Sequence, residues 1–237
     1  MSILVIYEDN HLLVVNKPAG VLSQGDRTGD LDLLTMGKAW VKDRYNKPGA
    51  VFLGLVHRLD RPASGVMLFA RTSKAASRLA AQFKERSVQK VYLALVEGRT
   101  PGAGAWEDYL LKGDLAKSRE DVRVVASGTA GAKEARLEMK TLHRFAASGN
   151  LPECSLIEIK LETGRTHQIR VQCSTRGFPL IGDFRYGSRT ELDGKNLALH
   201  AARLELMHPT KKEQMSWSSP VPTTWPGHVR SWLSSDN

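Results

Sequence analysis

Cysteine is scarce in this chain of 237 residues. There are two, Cys154 and Cys173, with no CxxC pair and no cluster of Cys and His. Such spacing offers no structural zinc site, and two lone thiols suit a reducing compartment, the cytoplasm. Long apolar runs are missing too. No stretch approaches the about 18 apolar residues that a membrane-spanning helix needs. The opening MSILVIYEDNHLLVVNKP lacks both a basic start and a long apolar core, which excludes a signal peptide. A Gly-rich phosphate loop, an internal repeat and a regular βαβ succession are all absent, which argues against a nucleotide-binding doubly wound fold and against a solenoid.

What is present is an ordinary globular composition, 41% hydrophobic and 25% charged, on a chain long enough for one large domain or two joined lobes. The charge is less ordinary. Lys and Arg number 34 against 25 Asp and Glu, a net +9. A basic excess favours RNA, DNA or an anionic membrane surface as partner, although many small proteins are simply basic.

Short β-branched runs at 3–7 (ILVIY) and 12–16 (LLVVN), with Asp9, Asn10 and His11 between them, read as a hairpin that Lys17-Pro18-Ala19-Gly20 ends. Apolar residues at 33, 34, 36, 40 and 41 recur at helical spacing from Asp30 to about Tyr45. The run 51–56 leads into His57-Arg58-Leu59-Asp60, and 65–70 reads as a buried strand. Ser73 is the expected cap of a helix with Ala75, Ala76, Leu79, Ala80 and Phe83 inside. Further strands are expected at 90–96, 105–111, 121–125, 135–142 and 155–161, the last two alternating as half-buried antiparallel strands do. A helix is expected from Thr166 to Arg176, stopped by Gly177. Residues 197–207 fit strand and helix equally, and the Pro-, Ser- and Trp-rich tail from Pro209 reads as a surface wrap. The sum predicts an α+β fold with a large mixed, mainly antiparallel sheet and flanking helices.

Three stretches can carry chemistry. In His57-Arg58-Leu59-Asp60-Arg61-Pro62-Ala63-Ser64-Gly65 a carboxylate stands between two arginines where core strands emerge. Flanking cations keep Asp60 ionised, fit to act as nucleophile or base; equally, the loop can be a structural turn with solvated arginines. In Leu161-Glu162-Thr163-Gly164-Arg165-Thr166-His167-Gln168-Ile169-Arg170, Arg165 lies at a loop–helix junction and can pair a carboxylate bidentately. Otherwise Arg165 and Arg170 are surface charges and His167 a satisfied polar residue. Tyr92, in Lys90-Val91-Tyr92-Leu93, is either core or a platform for a base.

Taken in order, Asn16-Lys17-Pro18-Ala19-Gly20, His57-Arg58-Leu59-Asp60 with Ser64-Gly65, Lys90-Val91-Tyr92, Gly164 to Arg170, Ile181-Gly182-Asp183, Tyr186-Gly187 and His200-Ala201 resemble the RluA family of pseudouridine synthases. The resemblance covers about residues 3 to 207. It implies one catalytic domain over 1–237, of two lobes about a central cleft. It implies that Asp60 is the essential aspartate, Tyr92 the tyrosine that packs on the target base and can remove the C5 proton, and Arg165 the partner of the aspartate. Arg58 matches the arginine that enters the space left by a flipped nucleotide, and Ile169 an apolar wall. His57, His167 and Arg170 belong with these as RNA- or base-binding residues. Ala63 stands where many members have Thr, and the S4 domain that many carry in front is not expected here. The implied partner is RNA, ribosomal or transfer or both, bound by a cytoplasmic monomer.

The implied reaction breaks the C1′–N1 bond of a uridine, turns the base and rejoins it through C5. It needs one ionised carboxylate, attacking C1′ or taking a C2′ proton, and neither metal nor cofactor, since nothing is oxidised and no group leaves. A stacked uridine must first be flipped out. Two rivals are an inactive RNA-binding module on the same fold and a nucleoside hydrolase that releases free uracil.

Overall fold

The two apolar runs at the start do close into a hairpin. Asp9 fixes the turn by accepting from the backbone N–H groups of His11 and Leu12, both at 2.8 Å. Strands β1 (Leu4–Glu8) and β2 (Leu12–Lys17) pair antiparallel on either side of it. A computed structural model describes residues 3–113 and 121–235. Residues 114–120, within the Gly-, Ala- and charge-rich stretch, lie outside it. The chain forms two compact units, Met1–Lys90 with His200–Pro222, and Val91–Leu199 with Thr223–Asn237.

The first unit continues with α1 (Leu33–Arg44), β3 (Gly54–Leu55), β4 (Ser64–Ala70), α2 (Ser73–Lys84) and the start of β5 (Gln89–Glu97), and is completed by β10 (Leu199–Met207) and β11 (Gln214–Ser218). Its strands run in the order β1-β2-β4-β10, with β3 on β4 and β11 on β10. The β4–β10 pairing is parallel, His200 opposite Ser64 and Ala201 opposite Gly65; the others are antiparallel. This explains why 197–207 shows no clear period. Its first residues, Leu199, His200 and Ala201, are all buried, as in a central strand. Alternation returns only at Leu204 and Leu206, which point into the core. That core joins Leu12, Val14, Val66, Leu68, Leu79, Leu204, Leu206 and Trp217.

The second unit runs β5-β9-β8-β6-β7, all antiparallel, from β5, β6 (Ala103–Lys112), β7 (Val122–Val125), β8 (Lys133–Phe145) and β9 (Cys154–Leu161). Helix α3 (Gln168–Thr175), a short 3-10 turn (Phe184–Tyr186) and α4 (Gly227–Ser234) complete it. Val171 of α3 packs on Leu110, Val122 and Ala135. Both thiols are buried here, and burial pushes Cys154 up to about 11 and Cys173 up to about 12. Among the described residues no helix is long and apolar enough to cross a membrane.

Three expectations are corrected. Thr72, not Ser73, caps α2: it holds the extended backbone a cap needs, and its hydroxyl accepts from the Ala75 N–H. Helix α3 starts at Gln168 rather than Thr166, because His167 takes a left-handed backbone (φ 53°) that cannot continue a helix. The tail is no surface wrap. It supplies β11 and α4 and buries Trp217 and Trp225, large apolar surfaces that outweigh the local Pro and Ser signal.

Candidate active site

The loop that carries Asp60 is built around a buried lysine. Lys17 ends β2 with no solvent exposure, although a bare ammonium in a core is costly. Its Nζ donates to three backbone carbonyls, Val21 at 2.7 Å and Pro18 and Arg61 at 3.1 Å. The Gly20 N–H donates to the same Arg61 carbonyl (2.8 Å), and the Arg61 Nε–H returns to the Gly20 carbonyl (3.1 Å). The loop Lys17–Val21 and the residue after Asp60 are therefore one hydrogen-bonded body. Burial pulls the Lys17 ammonium down to about 7, and the nearby Asp60 charge works against that fall.

The other side of Asp60 is fixed as firmly. Buried Ser23 donates its hydroxyl to the Leu59 carbonyl (2.7 Å) and accepts from the Leu59 N–H (3.1 Å). The Ala63 N–H closes a turn onto the Asp60 carbonyl at 3.1 Å. Ser64 then enters β4 with its hydroxyl 2.8 Å from Nδ1 of His200, whose Nε2 lies 2.9 Å from the Ser219 carbonyl. The carbonyl makes Nε2 the protonated nitrogen, so Ser64 donates to Nδ1. Burial lowers His200 to about 4, partly opposed by that carbonyl, and the ring stays neutral. Asp60 itself is half-buried and Arg58 exposed. Arg61, which flanks the carboxylate in sequence, pairs with Asp30 (2.7 Å) on the surface.

His57 occupies a packing position. Its ring stacks on Phe83 at 5.0 Å, and Nε2 accepts from the Leu68 N–H at 3.0 Å. Burial, with the Lys90 charge adding to it, lowers His57 to about 4. A neutral ring bonded to the backbone orients the loop start and offers RNA no positive charge.

In the second unit Tyr92 sits on β5 opposite Ile159, 9% exposed. Arg165 is half-buried on the turn between β9 and α3. The side chain of Gln168 organises that turn, accepting from the Thr163 hydroxyl (2.7 Å) and the Arg165 N–H (3.0 Å) and donating to the Arg136 carbonyl (3.1 Å). The Arg165 Nε–H donates to the Glu134 carbonyl at 2.8 Å. One of its five donors is thereby spent on aiming the guanidinium. Ile169 is buried on α3.

His167 and Arg170 turn inward. His167 Nδ1 lies 2.8 Å from the Tyr186 hydroxyl. Arg170, 5% exposed, pairs with both carboxylate oxygens of buried Asp183 at 2.7 Å and lies over the Tyr186 ring. Its place is that of a brace inside the unit, not of a phosphate contact. The Ile181-Gly182-Asp183 stretch supplies the carboxylate, and Gly182 is required there: at φ +85° a Cβ would stand 2.2 Å from the Asn196 carbonyl oxygen. Lys17, Ser23, Gln168 and His200 received no role from the sequence. The only signal for them was that Lys17, Gln168 and His200 lie inside recognisable motifs.

A family model described as RNA pseudouridylate synthase matches residues 11–175, a span that includes Asp60, Tyr92 and Arg165. The chain is 37% identical to the ribosomal large subunit pseudouridine synthase D of Pseudomonas aeruginosa, over 92% of this chain and 68% of that protein. It is 38% identical to the ribosomal large subunit pseudouridine synthase C of Escherichia coli O6:H1, over 92% and 66%. The chain thus spans about two thirds of the length of these relatives. Among solved structures, human RNA pseudouridylate synthase domain containing 4 superposes with a TM-score of 0.75 at 23% identity, over 97% of this chain and 92% of that one. Human RNA pseudouridylate synthase domain containing 1 gives 0.72 at 26%, over 99% and 95%.

Proposed function

The chain belongs to the RNA pseudouridylate synthase family, and from that premise we propose that it isomerises a uridine of large-subunit ribosomal RNA to pseudouridine. The observation that carries this is the family match over residues 11–175, a span that contains Asp60, Tyr92 and Arg165, with Asp60 on a turn held from both sides. The ribosomal substrate rests on the names of the relatives; a transfer RNA substrate is the second arm of the same test.

In this reading the target nucleotide is flipped out of its stack and Arg58 takes the vacated space. Asp60 stays ionised and either attacks C1′ or removes the C2′ proton, so that the C1′–N1 bond breaks with the uracil retained. The base turns, C5 bonds to C1′, N1 takes up a proton and C5 gives one up, so no atom is gained or lost. Tyr92 stacks on the base and its hydroxyl takes part in removing the C5 proton. Arg165 is the charge partner of the carboxylate and Ile169 an apolar wall. His57 and His167 act by orienting these groups. The reading extends to a monomer working in the cytoplasm, which sedimentation and cell fractionation check.

The experiment is tritium release from large-subunit ribosomal RNA and from transfer RNA, both labelled at uridine C5, followed by mapping of the product. Asp60→Asn should bind RNA and release no tritium. Tyr92→Phe should bind almost normally and turn over poorly, and Arg165→Ala should lose orders of magnitude in rate. Undiminished release by Asp60→Asn refutes the assignment. Free uracil would make the protein a hydrolase, and RNA binding without any turnover a binding module.

A further inference from the structure

The first unit holds a cavity of about 410 Å³ that no part of the proposed reaction uses. Helix α2 and the β10–β11 hairpin line it, through Arg78, Gln82, Met207, Pro209, Lys212 and Gln214. We propose that it seats one nucleotide of a bound RNA strand, with the phosphate on Arg78 and Lys212 and the base against Met207. The inference rests on the RNA reading above.

The walls are built to stay in place. Gln82 grips the Met207 backbone from both sides, its Nε2 donating to the carbonyl (2.8 Å) and its Oε1 accepting from the N–H (3.0 Å). The Met207 side chain nevertheless stays 42% exposed, a polarisable thioether of the kind that packs on aromatic rings. The following turn hangs on buried His208. Nδ1 accepts from the Thr210 and Lys211 N–H groups (3.2 and 3.0 Å), and Nε2 donates to Asp9 (2.8 Å). A surface turn anchored through a buried histidine is preorganised, which lowers the ordering cost of binding.

Two cations, Arg78 and Lys212, stand at this rim. Arg78 spends one N–H on the Pro209 carbonyl (2.7 Å), and among the described residues its guanidinium meets no carboxylate. Lys211 is engaged by Asp9, whereas Lys212 has no such partner among the described residues. Lys212 also sits at φ +60°, where glycine would be unstrained. Two cations, a free amide in Gln214 and an apolar ledge match a phosphate joined to a base. An acidic peptide would leave the ledge unused.

Lys212→Gly tests this without threatening the fold, because it removes both the ammonium and the strain. Its melting temperature should equal or exceed that of the unaltered protein. For a long RNA substrate, the slope of log affinity against log salt should become shallower by about 0.7–0.9, one phosphate contact. KM should rise with kcat unchanged, and a minimal stem-loop without flanking nucleotides should show neither effect. An unchanged slope and KM on long RNA overturn the proposal. So does a loss confined to inorganic phosphate or uridine monophosphate, which would make the cavity a small-anion site. Stronger competition by polyglutamate than by single-stranded RNA of equal charge would make it a peptide site. The slope needs no turnover, so an inactive protein with the predicted slope change would sink the isomerase reading and leave this one standing.

Discussion

Gly65 shows how one residue can hold the Asp60 loop to the sheet. At φ +120° beside the parallel strand β10, a Cβ would lie 2.3 Å from the Ala201 carbonyl oxygen and 2.5 Å from its N. Both are backbone atoms, so β4 and β10 would have to part. We expect Gly65→Ala to destabilise the protein by about 2–5 kcal/mol, from backbone strain and forced separation together, read as a lower urea midpoint. A midpoint within error of the parent would show that the two strands need no such approach. Residues of this kind were half legible. Ser64-Gly65 stood out as a motif, but its cause is a parallel neighbour 136 residues away. Lys17 was harder still, because a lysine is by default a surface residue. What buries it is three carbonyls that only the folded loop brings together.

At the scale of elements, strands and helices with a clean period were readable and their ends were not. Thr72 and Ser73 are chemically equivalent caps in adjacent positions, and only backbone conformation separates them. Asp9 illustrates a link between elements that no local pattern carries, since it joins the β1–β2 turn to the turn after β10. Burial works against its charge, but the N–H groups of His11 and Leu12, the Tyr7 hydroxyl and His208 outweigh it and bring the carboxyl from 3.8 down to about 2. A carboxylate with a depressed folded value stabilises the fold above its unfolded value, and that contribution disappears as pH falls through the folded one. Asp9→Asn should therefore cost about 1 kcal/mol at neutral pH, the shift being discounted for partial exposure. The gap between the two proteins should close between about pH 4 and about pH 2. A constant gap in thermal melts across that range would assign the effect to packing instead.

For the whole molecule, strand pattern and composition each carried a different part of the reading. The α+β class with a mixed, mostly antiparallel sheet followed from the count and spacing of strands. The make-up of the two units did not, because each is assembled from two separate stretches of chain. Pairings such as β4 with β10 are decided by burial of both faces, which no window of sequence displays. The excess of 34 basic over 25 acidic residues is a property of the entire chain and gives the most direct physical expectation. Phosphate contacts release condensed counterions, so RNA affinity should fall steeply with salt. A footprint of about six phosphates loses about a thousandfold between about 50 and about 200 mM. Turnover of RNA already bound should hardly change over the same range, since breaking and remaking the glycosidic bond releases no further ions. Single-turnover rates at saturating RNA, set beside equilibrium affinities at each salt concentration, separate the two. A fall in affinity of less than about tenfold would mean that base and shape contacts, not phosphates, carry the binding. A rate that fell in step with affinity would place the basic groups in the chemical step rather than in RNA capture.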